Sequence, residues 1–170
     1  MIRYAEHGDL TAILEIYNEA IVNTTAVYDY KPHTLADRTS WYEKKISDGF
    51  PVLVFKENNV VVGFATFGPF RAWPAYKYTI EHSVYVHKNH RGKHLGTALL
   101  QELIAIANAK GYATMVAGID ATNEGSKLMH EKLGFIQSGI IQKAGYKFGK
   151  WLDLAFYQYQ LQGPKTPIEE

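Results

Sequence analysis

The stretch running from "YKYTIEHSVYVH" through "ATMVAGID" restricts the fold more than any other part of the chain. Its first segment alternates as a strand. From Thr97 to Lys110, Leu99, Leu100, Leu103, Ile106 and Ala107 then form the apolar stripe of a helix, and Gly111 supplies a left-handed stop. The second segment is again a strand. Two strands joined through a helix pair in parallel, because a crossover of this length returns the chain in the same direction.

The remaining segments fit around that unit. "IRYA" is a short strand, and Asp9 caps a helix that presents Leu10, Ile13, Leu14, Tyr17 and Ile21 on one face. After the polar, aromatic loop "VNTTAVYDY", a second helix starts at the cap Thr34 and stops at Gly49. "PVLVFK" and "VVVGFATFGP", joined through "ENN", form an antiparallel hairpin. "NEGSKLMHEKLG" is a short helix, "FIQSGIIQ" and "WLDLAFYQYQL" are strands, and "GPKTPIEE" is a frayed tail. The expected fold class is therefore α/β (α+β) with one mixed sheet and helices on both faces. At 170 residues, with no linker and no repeat, a single domain over 1–170 is expected.

Composition excludes several chemistries. The chain has no cysteine, which removes disulfides, thiolate nucleophiles and Cys-ligated zinc. Its net charge of +1 provides no general attraction for nucleic acid or membrane, so small partners are expected. "MIRYAEHGDL" has no signal-peptide core, and no apolar run approaches the roughly 20 residues of a membrane span, so a cytoplasmic location is expected.

The candidate chemistry begins at "HRGKHLGTALL". After a strand, Gly92 and Gly96 allow a sharp turn and close approach, the following helix offers its positive end, and Arg91 and Lys93 add charge. Such a cradle suits a pyrophosphate. It is neither a Walker loop nor the dinucleotide fingerprint, and a solvated basic turn is the plain alternative.

"RGKHLGT" after a strand, followed one strand later by Asn123, Ser126, His130, Gly134 and Phe135, resembles the two cofactor-binding blocks of the GCN5-related N-acetyltransferase (GNAT) superfamily. "FGPFRAWPAYKYTIEHSVYV", "MHEKLGF" and "AGYKFGKWLDLAFYQ" further resemble the phosphinothricin and methionine sulfoximine branch, which acetylates the α-amine of small glutamate-like compounds with acetyl-CoA. His94 departs from the glycine usual in that loop. The resemblance implies that "SVYV" splays from "ATMVAGID" to admit the pantetheine arm. Backbone groups of Val84, Tyr85 and Val86 would bond the arm, Arg91, Gly92, Lys93, His94, Leu95, Gly96 and Thr97 would form the pyrophosphate loop, and Asn123 and Ser126 would hold the arm from the other side.

Forming an amide requires a neutral amine, whereas an amino-acid ammonium keeps its proton at neutral pH. Glu81 is the candidate base, on an alternating strand where burial raises its pKa; simple ion pairing is the alternative. His130 stands where many superfamily members carry a tyrosine, and either protonates the leaving thiolate or packs beside the cofactor. Its neighbour His82 is structural or at the pocket edge. Arg71 suits a substrate carboxylate because a guanidinium matches it in a bidentate way. Phe70 and Trp73 would wall the pocket, with Tyr28 and Tyr30 closing it. Lys147 and Trp151 either contact substrate across a homodimer interface, as the resemblance implies, or pack.

Three rival readings remain. His87, His90 and His94 lie close enough in sequence to suggest a metal site, opposed by the interleaved Lys88, Arg91 and Lys93 and by a lack of nearby carboxylates. "HKNHRGKH" could contact nucleic acid, though the overall charge is low for that. A GNAT enzyme for another amine (a polyamine, an aminoglycoside or a protein N-terminus) would have no use for a carboxylate clamp at Arg71. The expected co-substrate is acetyl-CoA, with no metal.

Overall fold

The computed structural model describes residues 1–170. The strands are β1 (Ile2–Tyr4), β2 (Val52–Glu57), β3 (Val60–Pro69), β4 (Thr79–Val86), β5 (Thr114–Asp120), β6 (Ile136–Lys147) and β7 (Lys150–Gln160). The helices are α1 (Leu10–Asn23), α2 (Leu35–Ser47), α3 (Leu95–Ala109) and α4 (Glu124–Leu133). The strands follow the order β1-β2-β3-β4-β5-β7-β6 in one mixed sheet, as expected. Met1–Phe67 with Ser83–Leu100 form one compact unit, and Gly68–His82 with Gln101–Glu170 form a second.

In the first unit, β2 pairs antiparallel with both β1 and β3. Asn58 and Asn59 turn the β2–β3 hairpin at φ 48° and 65°, the left-handed pair a two-residue connection needs, which asparagine tolerates. Leu10, Ile13 and Ile16 of α1 pack with Tyr42 of α2 on Val52, Val54 and Phe64. The Tyr42 hydroxyl, buried there, donates to the Ala5 carbonyl at 2.8 Å. α2 starts as expected, with Thr34 accepting from the Asp37 N–H and the Asp37 carboxylate accepting from the Thr34 N–H, a reciprocal capping box.

Three local expectations change. Asp9 occupies the N-cap position of α1 but makes no side-chain cap bond. The Arg3 guanidinium grips its carboxylate at 2.7 and 3.0 Å and the Glu6 N–H donates to it at 2.8 Å, so it serves the preceding 3-10 turn. The buried stripe of α1 includes Ile16 and Ala20, while Leu14 is half-buried, because the helix has buried contacts on a wider arc than the expected stripe. α3 begins at Leu95, two residues early, since His94 adopts φ 61° and the chain turns directly into the helix.

In the second unit, β4 and β5 run parallel, the pairing that the strand–helix–strand pattern requires. β5 and β7 are antiparallel, as are β6 and β7, the latter pair carrying bulges at Gln137/Gly139 and Ile141/Gly145. Met115, Ala117, Phe135, Leu152, Ala155 and Tyr157 are buried. The tail after Gln160 has no helix or strand, and the Ile168 N–H donates to the Tyr78 hydroxyl at 3.1 Å. No helix is long and apolar enough to cross a membrane.

Candidate active site

The β4–β5 ladder pairs Thr79, Ile80 and Glu81 with Thr114, Met115 and Val116, and does not include His82. Glu81 therefore stands at the last paired position. It is half-buried, and burial pushes its carboxyl above the usual range while the nearby Arg71 guanidinium pulls it back. Opposite it, a Cβ on Gly118 would lie 3.4 Å from Glu81 Oε2 and 3.3 Å from Leu154 Cδ1, so the glycine leaves the carboxylate its space. The loop before β4 carries Arg71 over the face of Phe70 at 4.5 Å. Phe70 in turn meets Tyr76 and Phe156 edge-on at 5.8 and 6.2 Å. Arg71 and Trp73 are exposed.

Next to Glu81, the buried His82 points the opposite way along the strand and stacks on His130 of α4, with centroids 5.1 Å apart and planes within 11°. The network fixes the tautomers. His130 Nδ1 lies 2.7 Å from the Ser126 carbonyl and must donate, so the neutral ring leaves Nε2 bare. That nitrogen accepts from His82 Nε2–H at 3.1 Å, and His82 Nδ1 is left buried with no partner. Burial lowers the pKa of both rings, that of His82 to about 3 with a further push from His130. Both His130 nitrogens are thus engaged, and burial favours its neutral form. Both roles expected for His130 start from this arrangement: packing keeps the two contacts, and donation to a thiolate would draw on the Nδ1–H now held by the Ser126 carbonyl.

At the start of α4, Asn123 Oδ1 accepts from the Ser126 N–H at 3.1 Å, so the side chain expected to hold a pantetheine arm also caps the helix. Lys147 is buried, whereas Trp151 is exposed and meets Tyr146 at 5.1 Å.

In the first unit, Gly92 (φ 79°) and His94 (φ 61°) turn the chain from β4 into α3. The N–H groups of 92–97 donate to no protein acceptor, and the first main-chain bond of the helix is Ala98 N–H to the His94 carbonyl at 3.1 Å. These free donors at a helix start fit an anionic group. The basic side chains are less available than expected: Arg91 bonds the Glu19 carboxylate at 2.8 Å and the Val86 carbonyl at 3.2 Å, and Lys93 lies 3.7 Å from Glu57. Glu57 also accepts from His90 at 3.0 Å, so a carboxylate is near this segment, contrary to the sequence expectation. His87 instead accepts from the Asn89 N–H. No group of three or more acidic or histidine side chains gathers as a metal site. On β4, the Tyr85 ring packs on Phe64 and Tyr17, and Val84 and Val86 are half-buried. Tyr28 and Tyr30 are exposed in the loop after α1.

The model of the acetyltransferase (GNAT) family matches residues 10–135. The chain belongs to this family. An L-methionine sulfoximine/L-methionine sulfone acetyltransferase from Salmonella typhimurium is 45% identical over 166 residues, covering 98% of this chain and 97% of that protein. An N-acetyltransferase structure from Staphylococcus aureus shares 57% identity at a TM-score of 0.95, covering 95% of this chain and 98% of that one. A GNAT superfamily phosphinothricin acetyltransferase from Sinorhizobium meliloti, solved with acetyl-CoA, is 36% identical at a TM-score of 0.94, covering 98% and 91%. The chain is an acetyl-CoA-dependent GNAT N-acetyltransferase.

Sequence reading missed a cavity of about 520 Å³ in the first unit, whose lining includes Arg38, Lys45 and Ser83. A signal for it exists: Arg38 and Tyr42 are four apart on α2, which puts a cation on the same buried face as a core tyrosine.

Proposed function

We propose that the acceptor is the α-amine of a small glutamate-like amino acid or analogue, of the methionine sulfoximine and phosphinothricin type, with Glu81 as the base. The observation that carries this reading is a half-buried carboxylate of raised pKa at the end of a parallel ladder, beside an exposed guanidinium. Bound acetyl-CoA supplies an activated acyl carbon. The main-chain groups of Val84, Tyr85 and Val86 and of residues 92–97 would hold it, with Asn123 and Ser126 proposed as further cofactor contacts. Glu81 takes the proton of the substrate ammonium, directly or through water, and frees the nitrogen lone pair for attack; as the C–N bond forms the thioester C–S bond would break, and the departing CoA thiolate would take up the second proton that the nitrogen sheds. Arg71 binds an acidic group of the amino acid, and Phe70 and Trp73 provide apolar walls, with His82 fixing the floor behind Glu81.

Two outcomes test these assignments. Arg71→Ala should raise KM for an acidic amino acid at least tenfold while changing KM for acetyl-CoA little, because only the former loses a charged partner. Its positive charge also favours ionised Glu81, so the acid limb of the kcat/KM profile should move to higher pH in the variant. Equal losses for both substrates with an unmoved limb would give Arg71 a structural role. For the cradle, main-chain donors make the side chain at 94 dispensable: His94→Gly should keep acetyl-CoA affinity within about tenfold by calorimetry, since glycine adopts the same left-handed φ more easily. Abolished binding would show that the imidazole itself holds the cofactor.

The exposed Ile136, Ile140, Ile141 and Trp151 of β6 and β7 support a homodimer formed through that hairpin; a single-chain mass at sedimentation equilibrium would contradict the dimer.

A further inference from the structure

The cavity in the first unit contains two cations that form no salt bridge; Asp37, which also lines it, and Asp48 favour the charged forms of Arg38 and Lys45 without pairing with them. Arg38 is 3% exposed, and its guanidinium lies between the rings of Tyr17 and Trp41, at 3.9 and 4.4 Å. Nη2 donates to His33 Nδ1 at 3.2 Å, the His33 Nε2–H donates to Asp29 at 2.8 Å, and Arg38 Nε has no partner. Lys45 donates to the Phe67 carbonyl at 2.9 Å, and burial lowers its pKa to about 8. No carboxylate forms a salt bridge with either cation. The acids nearby are committed elsewhere: Asp37 to the Thr34 N–H, Asp29 to His33, and Asp48 to Lys44 at 2.8 Å.

The other lining groups narrow the ligand. The Thr66 hydroxyl is turned away, donating to the Pro51 carbonyl at 2.7 Å, while the Ser83 hydroxyl makes no hydrogen bond. Phe64 and Tyr85 supply apolar wall. The Arg38 guanidinium is buried, and Lys45 and Ser83 are half-buried beside aromatic rings, so an anion placed there gains two positive partners and a hydroxyl donor. Such a lining suits a compact planar anion on a short uncharged stem.

We propose that this cavity binds a small organic carboxylate, held by Arg38 and Lys45 with the Ser83 hydroxyl as a third donor. The carboxylate comes either from the acceptor amino acid or from a separate small acid.

Calorimetric titration of the full chain with propionate and with its neutral isostere propionamide, without acetyl-CoA, tests this independently of turnover. Propionate should bind at least tenfold more tightly than propionamide, and Lys45→Met and Arg38→Met should each weaken propionate at least tenfold while leaving propionamide unchanged. Lys45→Met decides the matter if Arg38→Met fails to fold. Equal binding of propionate and propionamide, or propionate binding unchanged in Lys45→Met, would overturn the proposal. Kinetics then distinguish the sources: propionate competes with the amino acid if the acceptor's carboxylate occupies the cavity, and alters turnover without competing if a separate acid does.

Discussion

Glu81→Gln should lower kcat by about 10²-fold at neutral pH while acetyl-CoA affinity stays nearly unchanged. Glutamine keeps the size and hydrogen-bonding reach of the side chain but cannot take a proton. Turnover in the variant then depends on the small fraction of amine that is already neutral. The deficit should therefore shrink as pH rises towards the amine pKa, whereas the native enzyme, whose base sits half-buried with its pKa raised, rises less steeply. Stopped-time assays of CoA release from pH 6 to about 9.5, with acetyl-CoA binding measured separately, read both effects. Near-normal kcat at pH 7 would remove Glu81 from proton transfer and leave it as an ion-pair partner of Arg71.

The His82–His130 pair should make the fold acid-sensitive. The folded pKa of His82 is depressed to about 3, so between the unfolded value near 6.5 and that point the unfolded chain binds a proton that the folded one refuses. Stability is then fully present above pH 6.5 and is lost as pH falls through this window, at about 1.4 kcal/mol per unit for one such group. By pH 5 His82 alone removes about 2 kcal/mol, a large share of a typical 5–15 kcal/mol, and His130, shifted in the same direction, adds to it. His82→Leu should cost about 1–3 kcal/mol at pH 7.5, because His130 Nε2 loses its donor, yet flatten the decline towards pH 5. Urea midpoints at the two pH values check this. Parallel declines in variant and native protein would mean that the acid response arises elsewhere.

Much of the fold is legible in the residues because local chemistry decides it. Thr34 and Asp37 have the spacing of a capping box, the asparagine pair has the backbone tolerance a tight hairpin needs, and the strand–helix–strand run permits only parallel pairing of β4 with β5. Long-range choices are less visible. Alternation shows which residues share a face of β6 and β7 but not that β7 lies between β5 and β6. Asp9 has the right type and place for a cap, and only the fold brings Arg3 close enough to take its carboxylate.

The same limit governs the site. Glu81 is recognisable because it is the one carboxylate on an alternating strand that the family resemblance marks as catalytic. The engagement of His130 by Ser126 and His82 depends on a partner 48 residues away and has no local signature. Arg91 and Lys93 read as free charge beside the cradle until Glu19 and Glu57 are placed against them. Arg38 stands four residues before the core Tyr42 on α2, a spacing that places it on the buried face, but that Tyr17 and Trp41 pack on its guanidinium beside Lys45 depends on the fold.

The central claim is that this chain moves an acetyl group from acetyl-CoA to the α-amine of a small amino acid. Incubation with acetyl-CoA and a panel comprising methionine sulfoximine, methionine sulfone, phosphinothricin, glutamate, a polyamine and an aminoglycoside, followed by mass spectrometry of the products, measures it directly. The account predicts CoA release matched mole for mole by an α-N-acetyl product for one or more of the amino acids, and none for the polyamine or aminoglycoside. Turnover confined to those polycations, or CoA release without any α-N-acetyl amino acid, would contradict it.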